Sequence, residues 1–275
     1  MDIRFYTPSP ALKPHIQHIM IFRVQWQSDA LLPVNPFPPV PQHSLMFYLR
    51  DPLQSNLLPG EPFKEVPVCM AVGPQLNRVN IKMGKDHFLV HVPLTPGGLF
   101  RLTGIPMNEL IDKETDLSLV WNRDITLLID QLRNAKSNTT LVSIIETFLL
   151  NKLKRIIVPE PFSYALSQLI KTDGKMRIEQ VASEACLSTK QFERKCKEQI
   201  GLPPKLFARL IRFSKAYRLK EASPALSWTK ICYEAGYFDQ MHMIRDFKEF
   251  AGVTPGIINQ ELKATPYRLQ SPIII

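Results

Sequence analysis

The sequence predicts an α+β chain of two domains. Residues 1–157 read as a β-rich, barrel-like domain with a helical pair. Residues 158–275 read as an all-α domain, two helix-turn-helix units joined by a long helix. Three observations predict this. Short apolar runs bounded by Pro, Gly and Asn fill the first part. The segment Ile156-Ile157-Val158-Pro159-Glu160-Pro161 then interrupts the chain, because its prolines lack a backbone donor and restrict their neighbours. Finally, the last third carries one pattern twice.

In chain order, the strand-like runs are His18–Val24, Ser44–Leu49, Val66–Val72, Val79–Met83 and Phe88–Val92, rich in Ile, Val and Phe. Their number and closeness predict a small barrel or sandwich. Pro93-Leu94-Thr95-Pro96-Gly97-Gly98-Leu99-Phe100 fits a turn into a helix after a strand. It lacks the Lys-Ser/Thr of a phosphate loop, so the glycines read as a turn needing positive φ. The period then changes to helical. Arg123–Asn134 places Ile125, Leu128, Ile129 and Leu132 on one face, and Thr139–Leu153 does the same with Leu141, Ile144, Ile145, Phe148 and Leu149. Asn138-Thr139-Thr140 is the expected cap of the second helix. The pair either packs on the barrel or forms a dimer interface. Beyond the prolines, helices are expected over Phe162–Lys171, Met176–Glu184, Thr189–Gln199, Pro204–Glu221, Ser227–Glu234 and Gln240–Phe250, with a short one after Pro255.

Composition sets the limits. At 275 residues the chain can bury two cores, and 45% hydrophobic with 21% charged residues is ordinary for a globular protein. The net charge of +9 is uneven: residues 159–275 hold 18 Lys and Arg against 12 Asp and Glu, and residues 1–158 hold 16 against 13. The repeat half therefore carries most of the positive excess, as a partner of a polyanion would. Cys69, Cys186, Cys196 and Cys232 show no paired spacing and fall largely on apolar faces. They predict buried thiols in the reducing cytoplasm, with neither a disulfide frame nor a zinc site. No run approaches about 18 apolar residues and Met-Asp-Ile-Arg is not a signal peptide, so no membrane partner is expected.

The repeat is the informative part. Val181-Ala182-x-x-Ala185-Cys186-Leu187-Ser188, Phe192-x-Arg194-x-Cys196-Lys197 and Gly201-x-x-Pro204 return as Ile231-Cys232-x-x-Ala235-Gly236-Tyr237-Phe238-Asp239, Met243-x-Arg245-x-Phe247-Lys248 and Gly252-x-x-Pro255. The offset is 50 before each turn and 51 after it, so the second turn is one residue longer. Each copy reads as helix, tight turn, helix, a shape that lays its second helix in the DNA major groove. Phe192, Cys196 and Ile200 point inward in the first copy, leaving Thr189, Lys190, Glu193, Arg194 and Lys197 outward. In the second, Met243, Phe247 and Phe250/Ala251 point inward, leaving Gln240, Met241, Ile244, Arg245 and Lys248 outward. Ser188 and Asp239 are the expected caps.

One such face alone reads as merely solvated; two matched copies favour duplex DNA. Arg can take both acceptors of guanine, Gln can pair with adenine, and Met or Ile can pack on a thymine methyl. The 18-residue connector spans about 27 Å at roughly 1.5 Å per residue. Successive major-groove faces lie about 34 Å apart, so slight bending would let both helices engage one side of the duplex. Lys205, Arg209, Arg212, Lys215, Arg218 and Lys220 on the connector are expected to be mostly solvated, with one or two reaching phosphates.

The run Ala235-Gly236-Tyr237-Phe238-Asp239-Gln240-Met241-His242-Met243-Ile244-Arg245-Asp246-Phe247-Lys248, then Gly252-Val253-Thr254-Pro255, carries a specific resemblance. With Leu187-Ser188, Phe192-Glu193-Arg194 and Gly201-Leu202-Pro203-Pro204, it makes residues 162–259 similar to the DNA-binding domain of the AraC/XylS family of bacterial transcription regulators. By position, the resemblance implies base-facing roles for Lys190, Glu193 and Arg194 in the first unit and Gln240, Met241, Ile244 and Arg245 in the second. It implies promoter DNA as partner, with RNA polymerase, a small-molecule effector and a second copy of the chain as further candidates. No cofactor or catalytic group is implied. Cys186 departs from a frequent Gly and Met243 from a usual aromatic. Glu193 and Asp246 are expected to lower the charge of their helices. The first half resembles, in outline, the barrel-like sensor domains preceding this unit in family members.

The competing class is a metal-dependent cupin-like enzyme. His87 and His91 share a strand face, and His43 would be the third ligand. No His-x-His with a following Glu is present, so ordinary half-buried histidines are the default reading.

Overall fold

The computed structural model describes residues 1–27, 34–56, 61–153 and 161–264. Among these, β1 (Asp2–Tyr6), β2 (Ile19–Gln25), β4 (Ser44–Tyr48), β7 (Cys69–Val72), β9 (Asp86–Pro93) and β10 (Glu114–Asp116) form one antiparallel sheet, ordered β1-β2-β9-β4-β7-β10. A second sheet is ordered β3-β8-β5-β6, from β3 (Val34–Phe37), β5 (Gln54–Asn56), β6 (Lys64–Glu65) and β8 (Val79–Lys82). Of the small barrel or sandwich expected from the apolar runs, the second is observed: two sheets that do not close.

Period-two alternation explains why the central runs are nearly continuous in apolar residues. On β9, His87, Leu89 and His91 face a cavity between the sheets, while Val90 and Val92 join the core beneath the helices. On β4, Ser44, Met46 and Tyr48 face the cavity, and Leu45 and Phe47 face the helices. Both faces of this sheet are covered, which is unusual for an antiparallel sheet and removes the polar half of the pattern. The overlooked strands β1, β3, β5, β6 and β10 are short or edge pieces with polar residues.

The helices of this half are α1 (Gly98–Thr103), the single turn α2 (Ser118–Trp121), α3 (Arg123–Arg133) and α4 (Asn138–Leu153). A 3₁₀ turn, Met107–Leu110, follows α1. The pair α3 and α4 packs on the first sheet through Ile125, Leu128, Leu132, Leu141, Ile145 and Leu149. The cap of α4 is Ser137, whose Oγ accepts from the Thr140 amide at 3.1 Å, not the Asn138 segment. The domain boundary expected at 157/158 lies outside the described residues.

Past it, α5 (Pro161–Lys171), α6 (Ile178–Glu184), α7 (Thr189–Gln199), α8 (Pro204–Ala222), α9 (Trp228–Glu234), α10 (Gln240–Ala251) and α11 (Pro255–Ala264) enclose one core. Its centre is aromatic. Phe213 on α8 meets Phe247 and Phe250 of α10 at ring distances of 4.9 and 5.2 Å, and Phe162 of α5 meets Phe192 of α7 at 5.4 Å. Among the described residues, no helix is long and apolar enough to cross a membrane.

Candidate nucleic-acid interface

The two units close their turns identically. After α6, the Cys186 amide donates to Ser183 O at 2.9 Å and the Leu187 amide to Ala182 O at 3.0 Å. After α9, Gly236 donates to Tyr233 O and Tyr237 to Cys232 O, both at 3.0 Å. This is the helix-ending motif that needs a left-handed residue, φ +56° at Cys186 and +82° at Gly236. Cys186 adopts it despite its Cβ and is exposed, contrary to the expected buried thiol. The turn forces it outward. Cys69, Cys196 and Cys232 are buried, and burial pushes the Cys69 thiol up to about 11.

Each second helix then starts on a side-chain cap. Ser188 Oγ accepts from the Gln191 amide, and the Gln191 side chain accepts in return from the Ser188 amide at 3.0 Å. Asp239 Oδ1 accepts from the His242 amide at 2.8 Å. The caps rotate α7 and α10 so that Phe192, Cys196, Met243, Phe247, Phe250 and Ala251 are buried. Thr189, Lys190, Glu193, Arg194 and Lys197 on α7 are exposed, as are Gln240, Met241, Arg245 and Lys248 on α10; Ile244 is half-buried. Gln240 is tethered as well, its Nε2 donating to Thr229 Oγ1 on α9 at 2.7 Å.

Asp246 is not on this face. It is buried and accepts from Arg209 Nη2 at 2.7 Å and Nε at 3.0 Å, so it does not dilute the charge DNA would meet. Arg209 also pairs with Glu249. The other connector cations, expected to be solvated, are likewise drawn into the fold. Arg212 donates to Gly174 O at 2.8 Å, Lys215 pairs with Asp173, Arg218 donates to Ser214 O at 3.3 Å, and buried Lys220 donates to the Pro224 and Leu226 carbonyls. Lys205 stays exposed. Their helix is wrapped by both units, which leaves little free surface.

The N-terminal half meets the far end of α7. Ile200 hydrogen-bonds the His43 ring through its backbone, and Gly201 (φ +85°) seats against Pro74 and Met107. Pro74 belongs to a segment with two faces. Val72, Gln75 and Val79 line the cavity of about 100 Å³ between the sheets. Leu76 packs on the helical core, and Arg78 Nη1 pairs with Glu261 on α11 at 2.8 Å. Asp112 clamps the segment, accepting from the Leu76 and Asn77 amides at 2.8 and 3.1 Å.

The same placement separates the three histidines proposed as metal ligands. His87 and His91 line the cavity, but His43 points to Ile200. Among the described residues, no group of three or more His, Cys, Asp or Glu is gathered as a metal ion requires. Burial pushes His87 and His43 down to about 4 and His91 to about 3. His87 Nδ1 finds no hydrogen-bond partner among the described residues.

Two capped helix-turn-helix units on one core, each presenting an exposed polar helix face, have the architecture of the double helix-turn-helix class. Residues 181–261 match a family described as a helix-turn-helix domain. The chain therefore carries a helix-turn-helix domain over those residues. Residues 4–116 match a family described as a domain of unknown function (DUF6597). No curated protein matches the sequence. Among solved structures, ToxT from Vibrio cholerae O395 is 13% identical, with a TM-score of 0.48, covering 90% of this chain and 98% of that one. Unsaturated fatty acid bound ToxT from Vibrio cholerae strain SCE256 is 12% identical, with a TM-score of 0.47, covering 91% and 97%. The AraC-like transcriptional activator CuxR is 11% identical, with a TM-score of 0.21, covering 91% and 73%.

Proposed function

We propose that the protein is a transcription regulator that binds a bipartite promoter site, with α7 and α10 in successive major grooves of one duplex. Residues 158–275 form the DNA-binding domain and 1–157 the controlling domain. The observation that carries the reading is the matched pair of capped helices whose polar faces are exposed while their opposite faces share one core. Both pack on α8, whose 19 residues give about 28 Å of rigid spacing at 1.5 Å per residue. Thr189, Lys190, Glu193, Arg194 and Lys197 read the first half-site; Gln240, Met241, Ile244, Arg245 and Lys248 the second.

Control runs through the segment between Val72 and Val79. A small molecule in the intersheet cavity would press on Gln75 and Val79, whose neighbours Pro74, Leu76 and Arg78 hold the DNA-binding domain. The Glu114 carboxylate at the cavity wall favours a hydrogen-bond donor, and His87 Nδ1, without a partner among the described residues, can donate or accept according to its tautomer. RNA polymerase and a second copy of the chain are the remaining partners of this reading.

Selection of bound duplexes from a random pool tests the main statement. Two short motifs whose centres lie about one helical turn apart are expected. A single short motif, or binding without sequence preference, overturns it.

A further inference from the structure

The one residue by which the second unit exceeds the first is Phe238. The left-handed positions Cys186 and Gly236 correspond, as do Leu187 and Tyr237 after them; Ser188 then caps α7 directly, whereas Phe238 stands before the cap Asp239. The insertion does not enter the core. Phe238 is 87% exposed and Met241, one turn on, is 60% exposed. An aromatic ring held in water at the mouth of a recognition helix is an unfavourable arrangement unless something covers it.

The polar groups around it are engaged within the protein. Asp239 accepts from the His242 amide and lies 3.1 Å from His242 Nδ1, and Gln240 Nε2 donates to Thr229. The Phe238 ring stands edge-on to His242 at 6.3 Å, so it lies along the first turn of α10. Exposed Lys248 further along supplies the charge that a phosphate needs, and Arg245 is left for a base edge. The first turn of α7, in contrast, offers Thr189, Lys190 and Gln191 and no apolar side chain. On a base edge in the major groove, the thymine 5-methyl is the apolar group available.

We propose that Phe238 and Met241 form a thymine-methyl-reading pair, so that the α10 half-site is recognised through thymine methyls and the α7 half-site through charge and hydrogen bonds. This rests on the double-groove reading above. It extends that reading to a residue with no counterpart in the first unit.

The test uses the full chain and a site obtained by selection. Thymines are replaced one at a time by deoxyuridine, which removes the methyl and leaves the hydrogen-bonding edge intact. In the α10 half-site each critical replacement should lower affinity about fourfold, the size set by burying one methyl group. The same change in the α7 half-site should have no effect. With Phe238→Ala or Met241→Gln, thymine and deoxyuridine duplexes should bind equally; both positions are exposed, so melting temperature serves as the folding control. Equal affinity for both duplexes with the unaltered protein overturns the inference and leaves the double-groove reading intact. Loss of all sequence preference removes the double-groove reading itself. Self-association abolished by Phe238→Ala would assign the patch to a protein partner and likewise overturn the inference.

Discussion

Arg245 and Lys248 sit one turn apart on the exposed face of α10, and their chemistry separates their roles. Arg245→Ala should weaken binding to the selected site by about 1–3 kcal/mol, with a smaller loss on random duplex, as measured by competition titration. Equal losses would remove its base-reading role. Lys248→Ala should weaken both alike and flatten the dependence of log affinity on log salt by about one unit. A third substitution concerns the fold. Cys186 holds a left-handed backbone that costs a side-chain-bearing residue roughly 1 kcal/mol, and Gly236 shows the unstrained solution at the equivalent place. Cys186→Gly should therefore raise the unfolding free energy by about 0.5–1 kcal/mol in denaturant titration. The strain was legible from the departure at residue 186, but its outward direction was not: helical periodicity places Cys186 on an apolar face, and only the turn geometry turns it away.

The helices were the most legible elements, because the longer ones carry a 3.6-residue apolar period, and α7, α9 and α10 also start on a capping side chain. Thr189–Gln199 is observed as expected from Ser188 and the Phe192/Cys196 stripe. What could not be read was the fate of the α8 cations. A cation every three or four residues looks like a solvated stripe until the partners are known, and Asp173 and Gly174 come from the turn after α5, Asp246 and Glu249 from α10. Asp246 likewise looks like a base-facing acid until α8 is placed beside it. The element-scale prediction follows from that pairing. Asp246→Ala leaves Arg209 only its more exposed partner Glu249 and should cost about 1–2 kcal/mol of stability, reduced from the fully buried figure because Arg209 is 34% exposed and keeps that pair. Its melting temperature should fall well before its affinity for DNA does at low temperature. A variant with unchanged stability and altered DNA preference would put Asp246 on the recognition face instead.

Across the whole molecule, the sheets were half legible. The central strands, buried on both faces, announce themselves as apolar runs, whereas β5, β6 and β10 carry too few apolar residues to be seen. The failure of the sheets to close depends on long-range pairing that periodicity does not encode. The histidines between and beside these sheets give the molecule a pH response. His87 and His43 are held down to about 4 and His91 to about 3 by burial, with Asp51 and Asp86 opposing the shift at His87. Above about pH 6.5 these rings are neutral whether the chain is folded or not, and no stability is lost. As pH falls toward 4 the unfolded chain takes up protons that the folded one refuses, so stability drops, by about 3 kcal/mol per ring. Thermal unfolding from pH 7.5 to 4.5 should show this loss, and His87→Phe, keeping the ring contacts to Phe22 and Tyr48, should remove part of it. An unchanged slope in that variant would show that His87 titrates normally.

Gly201 ends α7 and at the same time receives Pro74 and the Met107 carbonyl, where any Cβ would collide with the Pro74 ring. The two halves are consequently not interchangeable modules. A chimera that grafts this N-terminal half onto another chain's helical half inherits a socket that must already carry a glycine, or the graft will be wedged open at its seam. For the same reason, residues 74 and 201 should drift together through the history of the lineage, since neither can gain bulk without consent from the other.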